Sequence, residues 1–411
     1  MARDLSGIRK SGAEIERDSQ EIQDFLVKML RIKAVNPRMG GSGELERAEF
    51  LEAFLKAEGF AVKRADAEDP ETGKRRPNVC ARVEGKGKKT LWLISHMDTV
   101  PEGSAELWRS DPFDPVVKDG KIFARGAEDN GQALVSSLFA LRELKRLGVP
   151  LPLSVGVWLV SDEEFGSTYG IKHLLGRERF RNDDLVVVPD SGTRDGRDIE
   201  IAEKGLLWFK LTTTGRQVHA SLPGRGLNAR RVGMNLAIDL DRTLNGRYAA
   251  RDPLFNEPRS TFEPTKAEAN VPNVNTVPGI DVQCFDCRVL PKYPLERVVA
   301  DVGRVVRKHE KRTRASISLE VIQEAGAGPA TPAESEAAAL MAETVRRVVK
   351  VEPRFVGIGG QTVGNLFRKR EIPTVVWSTV DDIPHEPNEY SRIKNLVGDA
   401  KVFAAMPLLA G

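Results

Sequence analysis

The sequence predicts an α/β catalytic domain, a largely parallel sheet flanked by helices, with a smaller α+β unit inserted into it. Two observations predict this fold class. Apolar strand-like runs alternate with helical ones along most of the chain, and between about residues 206 and 324 that pattern gives way to a different, compact one. At 411 residues the chain also exceeds what a single core usually serves, so two domains are expected.

The elements follow in order. Ile22, Phe25, Leu26, Met29 and Leu30 recur at helical spacing, as do Leu51, Phe54 and Leu55 ahead of a C-cap at Gly59. VCARVEG (79–85) and TLWLIS (90–95) read as strands, GQALVSSLFALRELKRLG (131–148) as a helix, and SVGVWLVS (154–161) and DLVVVPD (184–190) as strands. A helical stretch at 343–350 precedes TVVW (374–377). Such strands are apolar throughout, as expected of a sheet buried on both faces. Within the insertion, LLWFKLTTTG, DVQCFDCRVL and ASISLEVIQ read as strands, and NARRVGMNLAIDLDRTL and PLERVVADVGRVVRKHEKR as helices, with EAGAGPATPAE marking the return. The expected domains are residues 1–205 with 325–411, and 206–324.

Composition excludes several classes. With 40% hydrophobic and 29% charged residues the chain is of ordinary globular type. Its 62 basic and 59 acidic residues give a net charge of +3, and the basic clusters KGKK (86–89) and RKHEKRTR (307–314) are short and scattered, so no nucleic-acid partner is expected. No run approaches the ~20 apolar residues of a membrane span, and MARDLSGIRK lacks a signal-peptide core. The expectation is a cytoplasmic protein without a membrane partner. Three cysteines do not make a disulfide framework. Cys284 and Cys287 lie in one strand with their sulfurs on opposite faces, and read as buried structural thiols, whereas His173 and His309 read as surface residues.

Four polar clusters stand at strand ends or at the start of the helix between them: SHMD (95–98), GAEDN (126–130), SDEEFG (161–166) and PDSG (189–192). A fifth, DIPHEPNEY (382–390), follows TVVW. In an extended chain His96 and Asp98 project to the same side. In open α/β sheets sites form beyond the carboxyl ends of the strands, which places all five clusters together. Taken singly, Asp129 reads as a helix N-cap, His385 as a surface residue, Glu163 and Glu164 as solvated and Asp190 as a turn former. Converging carboxylates repel unless cations neutralise them, and two divalent metals answer that repulsion. Imidazole with carboxylate suits zinc, with Co²⁺ or Mn²⁺ as substitutes. His96, Asp129 and Asp190 would hold one ion and Asp129, Glu164 and His385 the other, Asp129 bridging. Glu163, beside a ligand, is placed to take a proton from a shared water.

SHMDTVPEG, ARGAEDNG, SDEEFGS, DSG and PHEPNEY, in this order, resemble the M20 family of metallopeptidases, which includes acetylornithine deacetylases, succinyl-diaminopimelate desuccinylases, aminoacylases and carboxypeptidase G. The resemblance implies that Asp98 orients His96 and fixes its tautomer, that Glu163 is the general base, and that the Asp129–Asn130 peptide is cis. It implies two Zn²⁺ per chain and a ferredoxin-like lid that also makes a homodimer. His219 in RQVHASLP, read alone as a capping or core histidine, matches the residue that reaches the partner subunit's active site. Asn275 in NVNTVPG and Arg288 in DCRVLP match positions on the substrate side of the lid.

The desuccinylases share GGTSDGR, whose arginine anchors a substrate carboxylate. This chain has GIGGQTVGNLF at 357–367, with Asn365 near that place and Arg368 and Arg370 as nearby alternatives. FEPTKAEANVPNVNT and WSTVDDIPHEPNEY resemble a loosely defined archaeal and bacterial group. The implied function is zinc-dependent hydrolysis of an N-acyl amino acid or small peptide beside a free carboxylate. A dipeptidase or aminopeptidase, or a desuccinylase, is the second expectation. A metal-bound binding protein is the third, and the intact Glu163 speaks against it.

Overall fold

A computed structural model describes residues 5–410, which form two compact units. The first contains the described residues up to Ile201, Ala330–Phe355 and those from Thr362; the second contains Ala202–Pro329 and Val356–Gln361. Among the described residues no helix is long and apolar enough to cross a membrane.

The larger sheet has eight strands in the order Lys63–Arg64, Val79–Val83, Ser154–Val160, Thr90–His96, Leu185–Gly192, Thr374–Ser378, Asp198–Glu203 and Arg354–Ile358. The four strands from Ser154–Val160 to Thr374–Ser378 run parallel, and antiparallel neighbours flank them. Every residue of Thr90–His96 and Ser154–Val160 is buried. The reason lies in the two covered faces. Trp92, Ile94, Trp158, Val186, Val188 and Val376 pack with Ile171, Leu174 and Phe367 on one side. The helix Ala133–Leu147 covers the other side and itself packs against Ile393–Leu409. Pairing of His96 with Val160 brings the parallel strands to an end at one level, and the polar clusters begin there.

Two elements escape the sequence pattern for opposite reasons. Ile393–Leu409 buries Leu396, Ala400, Phe403, Ala404 and Met406 around most of its circumference, so it lacks the polar face that would mark it as a helix. The strand Thr261–Ala267 contains Pro264, which cannot donate to a ladder; it lies at a sheet edge, with a register shift between Pro264 and Lys266.

The second unit has strands Gly205–Thr214, Thr261–Ala267, Ile280–Val289 and Ser316–Ala325, with helices Ala229–Arg247 and Leu295–Thr313 between the first and second and between the third and fourth. Their antiparallel order, second–third–first–fourth, is that of the ferredoxin-like β-α-β-β-α-β motif. Burial alternates strictly along Ile280–Val289, because both helices cover one face only. Phe285 stacks on Phe209 with centroids 4.8 Å apart, and Cys287 is buried beside them, but Cys284 faces outward and is half-buried. The three cysteines are free thiols. His309 is also not the surface residue expected. It follows Val302, Val305 and Val306 on the buried stripe of its helix and is 0% exposed, its Nε2 lying 2.8 Å from Asp239 Oδ2. His173 is half-buried.

If alternation along Ile280–Val289 governs packing, Phe285→Ala lowers the free energy of unfolding by ~3–5 kcal/mol. Cys284→Ala, one residue away on the outer face, changes it by about 0.5 kcal/mol or less. Urea denaturation of the two variants checks the assignment, and equal effects would reject it.

Candidate metal centre

The centre is built at the carboxyl ends of the parallel strands, within the first unit. His96 is the last residue of Thr90–His96 and is 4% exposed. Its Nδ1 lies 2.9 Å from the main-chain oxygen of Asp98. A carbonyl only accepts, so Nδ1 carries the hydrogen and Nε2 is the free ligand atom. That atom lies 2.9 Å from Asp129 Oδ1 and 3.5 Å from Asp190 Oδ1. The other oxygen of Asp129, Oδ2, is 3.2 Å from His385 Nε2, which is also 3.2 Å from Glu164 Oε2. One carboxylate thus faces two histidines, one with each oxygen.

Asp129 reaches this position because it is not an N-cap. At φ −110°, ψ 97° it is extended within the wide turn Ala127–Gln132 that precedes the helix, and the Asp129–Asn130 peptide is cis. Asn130 then turns back to donate to Asp190 Oδ1 at 2.6 Å and to the Pro189 carbonyl at 3.0 Å.

Asp98 lies against His96 with both its main chain and its carboxylate. Its main chain fixes the His96 tautomer, while its carboxylate, 3.5 Å from Nδ1, accepts the main-chain N–H of Glu163 at 3.0 Å, that of Glu164 at 3.2 Å and the Asn36 amide at 2.8 Å. The turn carrying both glutamates therefore hangs on Asp98. Behind it, Arg76 and Glu44, both fully buried, pair at 2.6 Å, and Arg76 also reaches Asp162 Oδ1 at 3.2 Å. Asn36 bridges Asp98 and Asp162. Sequence reasoning did not find Asn36, Glu44 or Arg76; each sits in a loop or edge strand with no motif around it, and only the fold brings them behind the glutamates.

The centre gathers more carboxylates than its two histidines can neutralise. Burial, then the Asp190 charge, pushes the Glu163 carboxyl well above its ordinary range, and burial with Asp129 pushes Glu164 up to about 7. His385 is raised to about 10 by Asp129 and Glu164. Burial opposes protonation of His96, but Asp129, Asp190 and Asp98 outweigh it and hold the imidazolium well above its usual value.

The residues fit a divalent metal. Ligand atoms of His96, Asp129 and Glu164, and separately of His96, Glu163 and Asp190, lie within 4.8 Å of one another. Glu164 Oε1 is buried with no hydrogen-bond partner. Imidazole and carboxylate form a donor set suited to zinc and its neighbours. The second of those groupings contains Glu163, expected as a base. Its carboxylate accepts no hydrogen bond from the described residues.

The remaining expected site residues lie in the second unit. His219 is exposed on the short strand Val218–His219, opposite Thr276. Its Nδ1 accepts the Ser221 N–H at 3.1 Å, with the Ser221 hydroxyl at 2.7 Å. Asn275 is adjacent on the same ribbon, its main-chain oxygen accepting Ala220 N–H at 2.8 Å. Arg288 projects from Ile280–Val289, donating to Asp286 Oδ1 at 2.6 Å and to the Gly359 carbonyl at 3.0 Å.

Comparison with known proteins places this geometry. Residues 92–408 match the sequence model of peptidase family M20/M25/M40. An uncharacterized metallohydrolase of Methanocaldococcus jannaschii is 36% identical over 394 residues, covering 91% of this chain and 96% of its own. A succinyl-diaminopimelate desuccinylase of Rickettsia rickettsii is 26% identical over 378 residues, covering 91% and 95%. Among solved structures, human carnosine dipeptidase 1 superposes with a TM-score of 0.76 at 19% identity over 98% of this chain and 99% of its own. An M20 family metallo-carboxypeptidase of Sulfolobus solfataricus gives 0.75 at 20% identity over 95% and 99%. The chain belongs to peptidase family M20/M25/M40 and is a metallohydrolase that acts on amide bonds.

Proposed function

We propose that the chain is a zinc amidohydrolase with two ions, cleaving an N-acyl amino acid or small peptide beside a free carboxylate. The division of Asp129 between two histidines, at 2.9 Å and 3.2 Å, is the observation that carries this reading. His96, Asp129 and Asp190 would hold one ion and Asp129, Glu164 and His385 the other. Bound there, two zinc ions would polarise the scissile carbonyl and acidify a water between them. Glu163 is the general base. Its raised affinity for a proton, and its freedom from hydrogen bonds, suit a carboxylate oxygen that takes a proton from water and passes it to the leaving nitrogen. Asp98 keeps the base in place through the amides of residues 163 and 164.

Arg368 does not offer the guanidinium of a desuccinylase. It is buried in a 2.7 Å pair with Glu200, and Arg370 donates to the Leu175 carbonyl. Arg288 keeps two of its five N–H groups free of its contacts with Asp286 and Gly359, and supports recognition of the free carboxylate on the second unit. Three free thiols support a reducing, cytoplasmic setting. The second unit would serve as lid and dimerisation surface, with His219 completing the partner's site. Held by the Ser221 N–H at Nδ1, a neutral His219 presents Nε2–H as a donor for a developing oxyanion.

Kinetics on N-acetyl, N-succinyl and dipeptide substrates with added Zn²⁺ or Co²⁺ test the reaction class and name the leaving group. In that assay Glu163→Gln keeps both ions and loses ~10²–10⁴-fold in kcat. Glu164→Gln loses metal instead, and its rate recovers with excess zinc. Equal metal loss in both, with full recovery in both, would refute the division of roles.

The shared site predicts complementation. Glu163→Ala and His219→Ala chains, each inactive, are co-refolded in equal amounts; half of the dimers are mixed and one site in each is complete, so about a quarter of all sites work. A mixture that stays inactive after exchange between dimers has been verified would rule out His219 acting across subunits.

A further inference from the structure

Asp129 and His385, the two halves of the second proposed metal site, are some 260 residues apart in sequence, and the structure joins them by side chains that bond their main chains and leave their ligating side chains free. Glu389 lies four residues after His385, yet its carboxylate serves the Asp129 turn. Oε1 accepts the main-chain N–H of Glu128 at 2.9 Å and of Asp129 at 3.0 Å, and Oε2 accepts that of Gly126 at 3.1 Å. Glu128, beside Asp129, does the converse for the His385 loop. Its Oε2 accepts Asp381 N–H at 2.8 Å and its Oε1 accepts Ile383 N–H at 2.9 Å. Arg125 closes the circuit by donating to Glu389 Oε2 at 2.7 Å and to the His385 carbonyl at 3.1 Å. Each loop carries the carboxylate that holds the other loop's main chain.

The His385 loop needs such a template. Asp382, His385 and Asn388 all have φ between 62° and 64°, a left-handed conformation that side chains other than glycine adopt at a cost. Asp, His and Asn tolerate that conformation better than most residues, and the main-chain bonds to Glu128 and Arg125 add to that local preference. Glu128 is 6% exposed and Glu389 0%, so their bonds to main-chain amides are shielded from competing water.

We propose that Glu128 and Glu389 are reciprocal positioning residues that fix the separation of Asp129 and His385, and so set the affinity for the ion shared by Asp129, Glu164 and His385. The inference rests on the two-ion reading above. A carboxylate that merely stiffened the fold would alter both ions alike, or neither. The Glu128 half of the clamp acts on one, because it holds only the His385 loop, while the other ion's remaining ligands, His96 and Asp190, are fixed by the strand end and by Asn130.

The test is a zinc titration of metal-free full-length protein against a competing chelator, with melting temperature measured on the metal-free chains. The unmutated chain binds two ions. In Glu128→Ala the dissociation constant of one ion rises ~10–100-fold, the range found when a residue supporting a metal ligand is removed. The other ion stays within about threefold. Glu128→Gln, which keeps one acceptor oxygen, falls between, and Glu389→Gln, which loosens the turn of the shared ligand Asp129, weakens both ions. Unchanged zinc binding in Glu128→Ala overturns the proposal. So does equal weakening of both ions with a lowered melting temperature, which marks a structural brace. A single ion on the unmutated chain instead overturns the two-ion reading, and the proposal with it.

Discussion

The organising constraint in this protein is the repulsion among carboxylates gathered at one end of a buried sheet. Asp98, Asp129, Glu163, Glu164 and Asp190 meet where water is scarce, and the two histidines among them cannot neutralise five acids. Burial and neighbouring carboxylates push protons onto Glu163 and Glu164, and the carboxylates of Asp129 and Glu164 hold one on the half-exposed His385. Such an arrangement suits a divalent metal, whose charge would offset the repulsion.

The fold manages that cost in two ways. Carboxylates that are not candidate ligands accept main-chain N–H groups of the turns that carry ligands: Asp98 for residues 163 and 164, Glu389 for the Asp129 turn, Glu128 for the His385 loop. Deeper, Arg76 places a fully buried guanidinium against Glu44 and Asp162. Removing one partner from such a buried pair typically costs ~3–5 kcal/mol, so this cluster is a commitment that the sheet and its flanking segments share. The turns themselves are irregular, and the parallel strands below them supply the rigidity.

Much of the site was legible because strand periodicity and strand-end placement translate directly into geometry. The gathering of His96, Asp129, Glu164, Asp190 and His385 at one end of the sheet follows from where apolar runs stop. What was not legible involves partners that sequence spacing does not encode. Asp98 was expected to orient His96, and both its carbonyl and its carboxylate lie against that imidazole; that the carboxylate also holds the amides of residues 163 and 164 is not written in the spacing. Glu128 and Glu389 sit inside motifs read for their neighbours, and their own partners are amides more than 250 residues away. His309 was read from its charged neighbours, whereas the helical stripe of Val302, Val305 and Val306 decides its burial. Ile393–Leu409 was hidden by its uniform apolarity and Thr261–Ala267 by Pro264. In each case a tertiary contact outweighed a local signal.

The central claim is that one carboxylate, Asp129, lies between two cations. Crystals of the protein grown with zinc, measured on both sides of the zinc absorption edge, address it directly. The account predicts two anomalous peaks ~3.5–4 Å apart, one beside Asp129 Oδ1 and His96, the other beside Asp129 Oδ2 and His385. A single peak at saturating zinc, or two peaks that do not share Asp129, would contradict it.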